Sequence, residues 1–203
     1  MMQVAVLGAG GKAGKELTKE LLSRGHSVIA VGRNAEKLPT GDGVETRVAD
    51  ASDRSALAAA VTGADAVISA LQFDVPAATI LGALKQAGVE RLIVTGGAAS
   101  LDNGKGVRVF DSPDFPEFLR PLVIGGVHFL DALREEKDVN WSFFSPAMTF
   151  FEGPRLGSFN LGKDTMVFND AGESKISYAD GAIAMVDELE QSNNPRARWT
   201  AAY

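Results

Sequence analysis

Apolar residues recur along this chain in two alternating rhythms. Gln3–Leu7 is a short apolar run, and Lys15–Leu22 follows with Leu17, Leu21 and Leu22 at helical spacing. Ser27–Val31 is a second strand, rich in β-branched residues. Val44–Ala49 reads as the third strand, and Asp53–Val61 as an alanine-rich helix with Ser52 or Asp53 at its N-cap. Ala64–Ala70 is the fourth strand. Pro76–Ala87 is the next helix, with Pro76 suited to its first turn, and Glu90–Val94 is the fifth strand. The pattern reads β-α-β-α-β-α-β-α-β with short connections. Such alternation predicts an α/β fold, a doubly wound parallel sheet of Rossmann type with right-handed crossovers.

Beyond Ser100 the rhythm breaks. Ser100–Pro121 carries Pro113, Pro116 and Pro121 together with Phe110, Phe115 and Phe118. A connection this long is functional or disordered, and three phenylalanines argue against disorder. It fits a lid over a flat aromatic substrate, or a hydrophobic flap packed on the core. Leu122–Asp138 reads as a helix and Trp141–Phe144 as the sixth strand, followed by Ser145-Pro146-Ala147. Phe150–Asn160 contains Gly153, Pro154 and Gly157 and reads as a loop; Asn160–Asn169 is expected to form a hairpin, and Asp170–Glu173 a turn. Ser177 is placed to cap a helix over Tyr178–Glu190, with Asp180 in a capping-box-like position, and Arg198–Ala202 is a short last strand. With no repeat, low-complexity tract or linker, residues 1–203 read as a single domain. Residues 151–203 read as a small C-terminal annex on the substrate side.

Composition narrows the classes. At 203 residues, 45 % hydrophobic and 23 % charged, the chain suits one globular domain with a sizeable core. It has no 18-residue apolar run and no basic-then-apolar leader, so no membrane association is expected and the cytoplasm is the expected location. The absence of cysteine excludes disulfides and thiolate chemistry. The two histidines, His26 and His128, are far apart in sequence, and no metal site is expected. A net charge of −6 argues against nucleic-acid binding. A small-molecule ligand and a monomer or weak homodimer are the expectation.

The chemistry concentrates where the first strand meets the first helix. Gly8, Gly10, Gly11, Lys12, Ala13 and Gly14 form a glycine-rich turn in a strand–turn–helix context. Such a turn lets a pyrophosphate approach the free N–H groups of a helix N-terminus. Two frames fit: Gly8, Gly11 and Gly14 as G-x-x-G-x-x-G, or Gly8, Gly10 and Ala13 as G-x-G-x-x-A. An acidic residue that holds a ribose 2′-hydroxyl usually stands about 20 residues past such a motif. Arg33 stands there instead, 19 residues after Gly14. Arginine can bond a 2′-phosphate bidentately, and Lys12 adds a second positive charge, so NADP(H) is the preferred cofactor and NAD(H) the second. Asp50 fits either the adenine end of the cofactor or a helix start. Ala70, Leu71, Thr95, Gly96 and Pro146, at or just past the ends of the fourth, fifth and sixth strands, are candidates for the rest of the cofactor contact. In this fold, such strand ends converge on one crevice.

Four segments carry a resemblance: Gly8-Ala9-Gly10-Gly11-Lys12-Ala13-Gly14, Gly32-Arg33-Asn34, Asp65-Ala66-Val67-Ile68-Ser69-Ala70 and Thr95-Gly96-Gly97-Ala98. They resemble the atypical short-chain dehydrogenases/reductases. More narrowly, the chain is similar to small NAD(P)H-binding proteins labelled "putative NADH-flavin reductases", relatives of biliverdin/flavin reductases and NmrA-like proteins. Asp111–Pro116, Trp141–Ala147 and Ile176–Asp180 extend the likeness nearly to the C-terminus. The resemblance implies an NAD(P)H-dependent oxidoreductase. The short-chain dehydrogenases, however, carry a Tyr-x-x-x-Lys pair on the helix before the sixth strand. Here that helix reads Val123-Ile124-Gly125-Gly126-Val127-His128-Phe129-Leu130-Asp131, with neither residue before Lys137. Gly96 and Gly97 stand where a serine is usual. Carbonyl chemistry needs a proton donor, whereas a flavin that accepts hydride can take its proton from water. The expected reaction is therefore hydride transfer from NADPH to a flavin or quinone-like acceptor, the flavin being a substrate and not a bound cofactor. Phe110, Phe115, Phe118 and Phe150 are the candidate substrate pocket, and His128 is the candidate catalytic residue. The alternative is a non-catalytic NADP(H)-sensing regulator of NmrA-like type. An NAD(P)-dependent epimerase/dehydratase, which relies on the missing pair, ranks third.

Overall fold

The structure is a computed structural model that describes residues 1–203. Its elements are β1 (Gln3–Leu7), α1 (Lys12–Ser23), β2 (Ser27–Gly32), β3 (Val44–Val48), α2 (Arg54–Val61), β4 (Ala66–Ser69), α3 (Ala77–Ala87) and β5 (Arg91–Thr95). After a long connection come α4 (Arg120–Arg134), β6 (Asn140–Pro146), β7 (Thr149–Phe151), β8 (Asn160–Gly162), β9 (Lys175–Ser177), α5 (Tyr178–Gln191) and β10 (Ala197–Ala202). The eight-stranded sheet runs β3-β2-β1-β4-β5-β6-β10-β8. All its pairings are parallel except β8 against β10. This is the doubly wound Rossmann order with two strands added at one edge. No helix is long and apolar enough to cross a membrane.

Strand alternation builds the two cores. Ala5 and Leu7 of β1 face α2, α3 and α4, where Leu57, Ile80 and Leu133 are fully or almost fully buried. Val4 and Val6 face α1 and α5, where Leu17, Leu21 and Met185 complete the second core. Each such side chain contributes about 1.5–3 kcal/mol through burial. The C-terminal segment is woven into this arrangement: α5 packs along α1, and β10 extends the sheet from β6.

Several boundaries differ from the sequence pattern for local reasons. Between β2 and β3 there is no α-helix, only a 3-10 turn over Ala35–Lys37 opened by Asn34, whose side chain accepts from the Glu36 amide. Pro39, Gly41 and Gly43 leave no room for more. Asp53, not Ser52, caps α2 by accepting from the Ser55 and Ala56 amides. The expected hairpin over Asn160–Asn169 does not form. Asn160–Gly162 instead pairs with Ala202–Thr200 of β10, whose outer edge is otherwise open, and Thr165 bridges to Asp102. Part of the expected Phe150–Asn160 loop is strand: β7 pairs in parallel with β9. The capping box of α5 is half made. The Asp180 amide donates to Ser177 Oγ at 3.0 Å. The Asp180 carboxylate, however, accepts from the Leu156 and Gly157 amides and from the Tyr203 hydroxyl at 2.6 Å.

A charged network ties α1 to α5. Arg24 meets Glu20, Asp187 and Glu190, and His26 Nε2 lies 3.0 Å from Glu190 Oε1. The hydrogen bond with His26, and then those from Arg24, hold the Glu190 carboxyl below its ordinary value of 4.5. A carboxylate depressed in the folded state stabilises the fold above its unfolded pKa, and that contribution is lost as pH falls through the folded value. Glu190→Gln should therefore lower the melting temperature at neutral pH and shrink its further fall on acidification. A variant whose acid limb parallels that of the parent would show that Glu190 does not couple folding to pH.

Candidate functional site

The site begins where β1 ends. Gly8 holds φ 76°, and a Cβ there would stand 2.9 Å from the Ala70 carbonyl oxygen, so only glycine fits. Its amide donates to the Val31 carbonyl at 2.9 Å, and the Gly11 amide returns to the Gly8 carbonyl at 2.9 Å. α1 starts at Lys12 with Gly11 as its N-cap and no side-chain cap. The amides of Gly10, Lys12, Ala13 and Gly14 consequently donate to no backbone acceptor. Four free N–H groups around a helix N-terminus are an anion cradle. The two sequence frames are separated by Gly14. A Cβ at Gly14 would overlap the Gly8 carbonyl oxygen and stand 2.8 Å from Ala9 Cα. Gly14 is the close-packing glycine, and Ala13 is not its substitute.

Beside the cradle lies a crevice of about 650 Å³. Gly8, Gly10 and Gly11 form one rim, Leu71, Gln72 and Asp74 another, and Arg33, Asn34 and Lys37 close the end beyond β2. Leu7, Val31, Leu38, Ala49, Ala51 and Val75 supply apolar wall. Asp50 lines it too. Its carboxylate accepts from the Ser52 amide at 2.9 Å and the Ser52 hydroxyl at 2.8 Å. Those hydrogen bonds, together with the charge of Arg33, hold the Asp50 carboxyl below its usual range. Asp50 thus shapes the turn before α2 and also lines the crevice.

Lys12 does not line this crevice. It is exposed, lies 3.5 Å from Glu152, and lines a separate cavity of about 350 Å³ with Lys15, Lys19 and Tyr178. Lys37, on the 3-10 turn, lines the crevice beside Arg33 instead. Neither Arg33 nor Lys37 is among the cations of the molecule's ion pairs, which leaves both free for a ligand. Ala70, Thr95, Gly96 and Pro146 stand at the carboxyl ends of β4, β5 and β6, on the same end of the sheet as the glycine turn but outside this crevice. Thr95 is buried, with its hydroxyl 3.2 Å from Met185 Sδ.

The substrate-side residues behave differently from expectation. His128 is exposed on α4 between buried Val127 and Phe129, makes no hydrogen bond and does not line the crevice. The structure therefore does not bring it into the site. The rest of α4 is built for close packing: a Cβ at Gly125 or Gly126 would stand 2.8 Å from Phe73. Phe73 in turn packs against Phe129 and Phe143, at ring-centroid distances of 5.3 and 6.2 Å. The absence of a serine at position 96 has a steric reason, because any side chain there would collide with the Phe143 ring. Phe110 and Phe115 stack beneath the Arg120 guanidinium, 4.9 and 5.6 Å from their centroids, and Arg120 donates to the Phe110 carbonyl at 3.0 Å. They hold a flap together and do not line the crevice. Phe150 packs on Tyr178 at 4.5 Å and on Phe144. Of the four phenylalanines, only Phe118 projects freely, at 76 % exposure.

The model of one family, described as NAD(P)H-binding, matches residues 8–192. The chain belongs to this NAD(P)H-binding family. Among curated proteins, it is 39 % identical over 211 residues to the uncharacterized protein YwnB of Bacillus subtilis, covering 98 % of this chain and 97 % of YwnB. Among solved structures, one from Bacteroides thetaiotaomicron, named a "putative epimerase", is 39 % identical with a TM-score of 0.93, covering 100 % of this chain and 97 % of that one. Another from Streptococcus pneumoniae, named "a putative NADH-flavin reductase", is 35 % identical with a TM-score of 0.86, covering 100 % and 99 %.

The cradle makes a direct demand on Gly14. Gly14→Ala forces α1 off β1, at a cost of about 1–3 kcal/mol for overpacking. Fluorescence titration with NADPH and NADH should show binding at least tenfold weaker, about 1.4 kcal/mol, alongside a lower melting temperature. Parent-like affinity would remove the pyrophosphate role from this helix end.

Proposed function

We propose that the chain is an NADP(H)-preferring oxidoreductase whose acceptor is a small flavin or quinone-like molecule, with NAD(H) as second choice and the flavin as substrate. The observation that carries the cofactor half is the end of the crevice beyond β2. There Arg33 and Lys37, both free of ion pairs, flank Asn34 in a chain of net charge −6. A ribose 2′-phosphate carries the charge those groups match, and the Arg33 fork can bond two of its oxygens. Glu36 is exposed and does not line the crevice, so no carboxylate on this turn takes a 2′-hydroxyl. The free amides of Lys12, Ala13 and Gly14 would hold the pyrophosphate, and Asp50 would face the adenosine end.

A bound nicotinamide supplies hydride. What the protein adds is position and dryness. The Phe73 ring sealed against Gly125 and Gly126 keeps α4 close to the loop after β4. That helix carries no tyrosine and no lysine, and its only imidazole faces away. This arrangement suits an acceptor that takes its proton from water, and it speaks against epimerase or dehydratase chemistry. The same bare helix also suits a sensor that binds cofactor without turnover, which is the second reading.

Two measurements bear on this proposal. Arg33→Ala/Lys37→Ala should weaken NADPH by tenfold or more, consistent with about 1.5–3 kcal/mol for a charged hydrogen bond, while NADH changes little. Equal losses for both cofactors would overturn the 2′-phosphate assignment. Stopped-flow oxidation of NADPH should exceed the uncatalysed rate with at least one of FMN, FAD, riboflavin or a benzoquinone. Saturable NADPH binding with background rates throughout would support the sensor.

A further inference from the structure

A second pocket, of about 270 Å³, lies at the opposite end of the sheet from the glycine cradle. The amino ends of β6 and β10 floor it, through Trp141 and Ala197; Leu130 and Arg134 of α4 form one side; and Lys163 and Asp164, just past β8, form the other. Four of its lining residues are cations, Arg134, Lys163, Arg196 and Arg198, against one carboxylate, Asp164. Two of the cations are committed. Arg198 is paired with Asp164 at 2.6 Å and donates to the Ser100 carbonyl, and Arg134 is paired with Asp131 at 2.9 Å. Two are not. Lys163 has no partner, and Arg196 only donates to the Lys137 carbonyl at 2.7 Å. The local balance is strongly positive in an acidic protein.

The floor carries an independent sign. Trp141 is only 3 % exposed, and its indole Nε1–H is buried without an acceptor. The backbone fixes Trp141 to the free cation, because the Arg196 amide donates to the Trp141 carbonyl at 2.7 Å. An indole N–H only donates, so what satisfies it must bring a lone pair. Native proteins rarely leave such a donor unmet. Trp141 lines the same pocket as unpaired Lys163 and Arg196, and a group that met both the donor and those charges would be an oxygen-bearing anion.

We propose that this pocket is a binding site for a small oxyanion, a phosphate or a carboxylate. One oxygen accepts from Trp141 Nε1, and the charge is met by Lys163 and Arg196. The site is separate from the dinucleotide crevice and shares no residue with it. Its chemistry holds whichever cofactor or acceptor the cradle end uses.

The test reads the indole itself. The chain has two tryptophans, so a ¹H–¹⁵N spectrum of the intact protein shows two indole signals, with Trp141→Phe assigning one. Inorganic phosphate and, separately, acetate are titrated at constant ionic strength held with chloride. The Trp141 signal should move saturably with one or both probes, and the choice between them identifies phosphate or carboxylate as the preferred class. In Lys163→Ala/Arg196→Ala, both exposed positions, the midpoint should rise at least tenfold with the melting temperature unchanged. In Arg33→Ala/Lys37→Ala the shift should persist, separating this pocket from the cradle. A Trp141 signal that neither probe moves saturably, or a shift retained in full by Lys163→Ala/Arg196→Ala, overturns the site.

Discussion

The contact on which the rest of the molecule depends is backbone against backbone. Gly14 lets α1 lie against the Gly8–Ala9 peptide with no side chain between them. That approach brings unbonded amides to the carboxyl end of β1, an interior strand of the parallel sheet. It also sets how Leu17 and Leu21 reach the core on one face, and so where α5 can pack. Free N–H groups at the helix end and core packing are here one geometric requirement. The helix is poorly capped from within, which leaves its N–H groups for a ligand.

Charge is sorted around that contact. The network of Glu20, Arg24, Asp187 and Glu190 neutralises itself between α1 and α5, and Arg155 joins it through Glu20 at 3.1 Å. On the same face of the sheet, Arg91 is offset by Glu188 of α5 at 2.9 Å, and Ser142 and Asn194 complete that carboxylate's hydrogen bonds. What remains unpaired is therefore informative. Cations in no ion pair line three concave surfaces: Arg33 and Lys37 in the crevice, Lys163 and Arg196 in the pocket at the opposite end of the sheet, and Lys15 in the cavity beside Lys12.

The features legible in the sequence are those decided locally. The glycine turn, the strands β1 to β6 and Arg33 each follow from a few adjacent residues. Lys37 was not legible, because its place beside Arg33 depends on a 3-10 turn that replaces the helix expected there. Lys12 is the converse case: it is next to the glycine turn, but its side chain lies toward Glu152 and outside the crevice. The three-residue strands β7 and β9 have no period to detect, and β8 took a partner some forty residues downstream over the nearer one the hairpin expectation assumed. Phenylalanine content left a lid and a packed flap both open and said nothing of Arg120, beneath whose guanidinium two of the rings stack. His128 carried the right chemistry, but the helical turn between Val127 and Phe129 faces it outward.

The pairing of α1 with α5 also constrains the order of assembly. The apolar stripe of α1 is made among the first two dozen residues, and its cover arrives only with Ala182–Leu189. The opposite face is covered earlier, by α2 and α3 within the first half of the chain and then by α4. A growing chain can thus complete one side of its sheet while the other, with Val4, Val6 and Ile68, is covered by α1 alone. Non-local closure of this kind slows folding and exposes the intermediate to association. The face that anchors the cradle helix is then the last to be sealed. The helix end with the unbonded amides takes its last support from the final core to close.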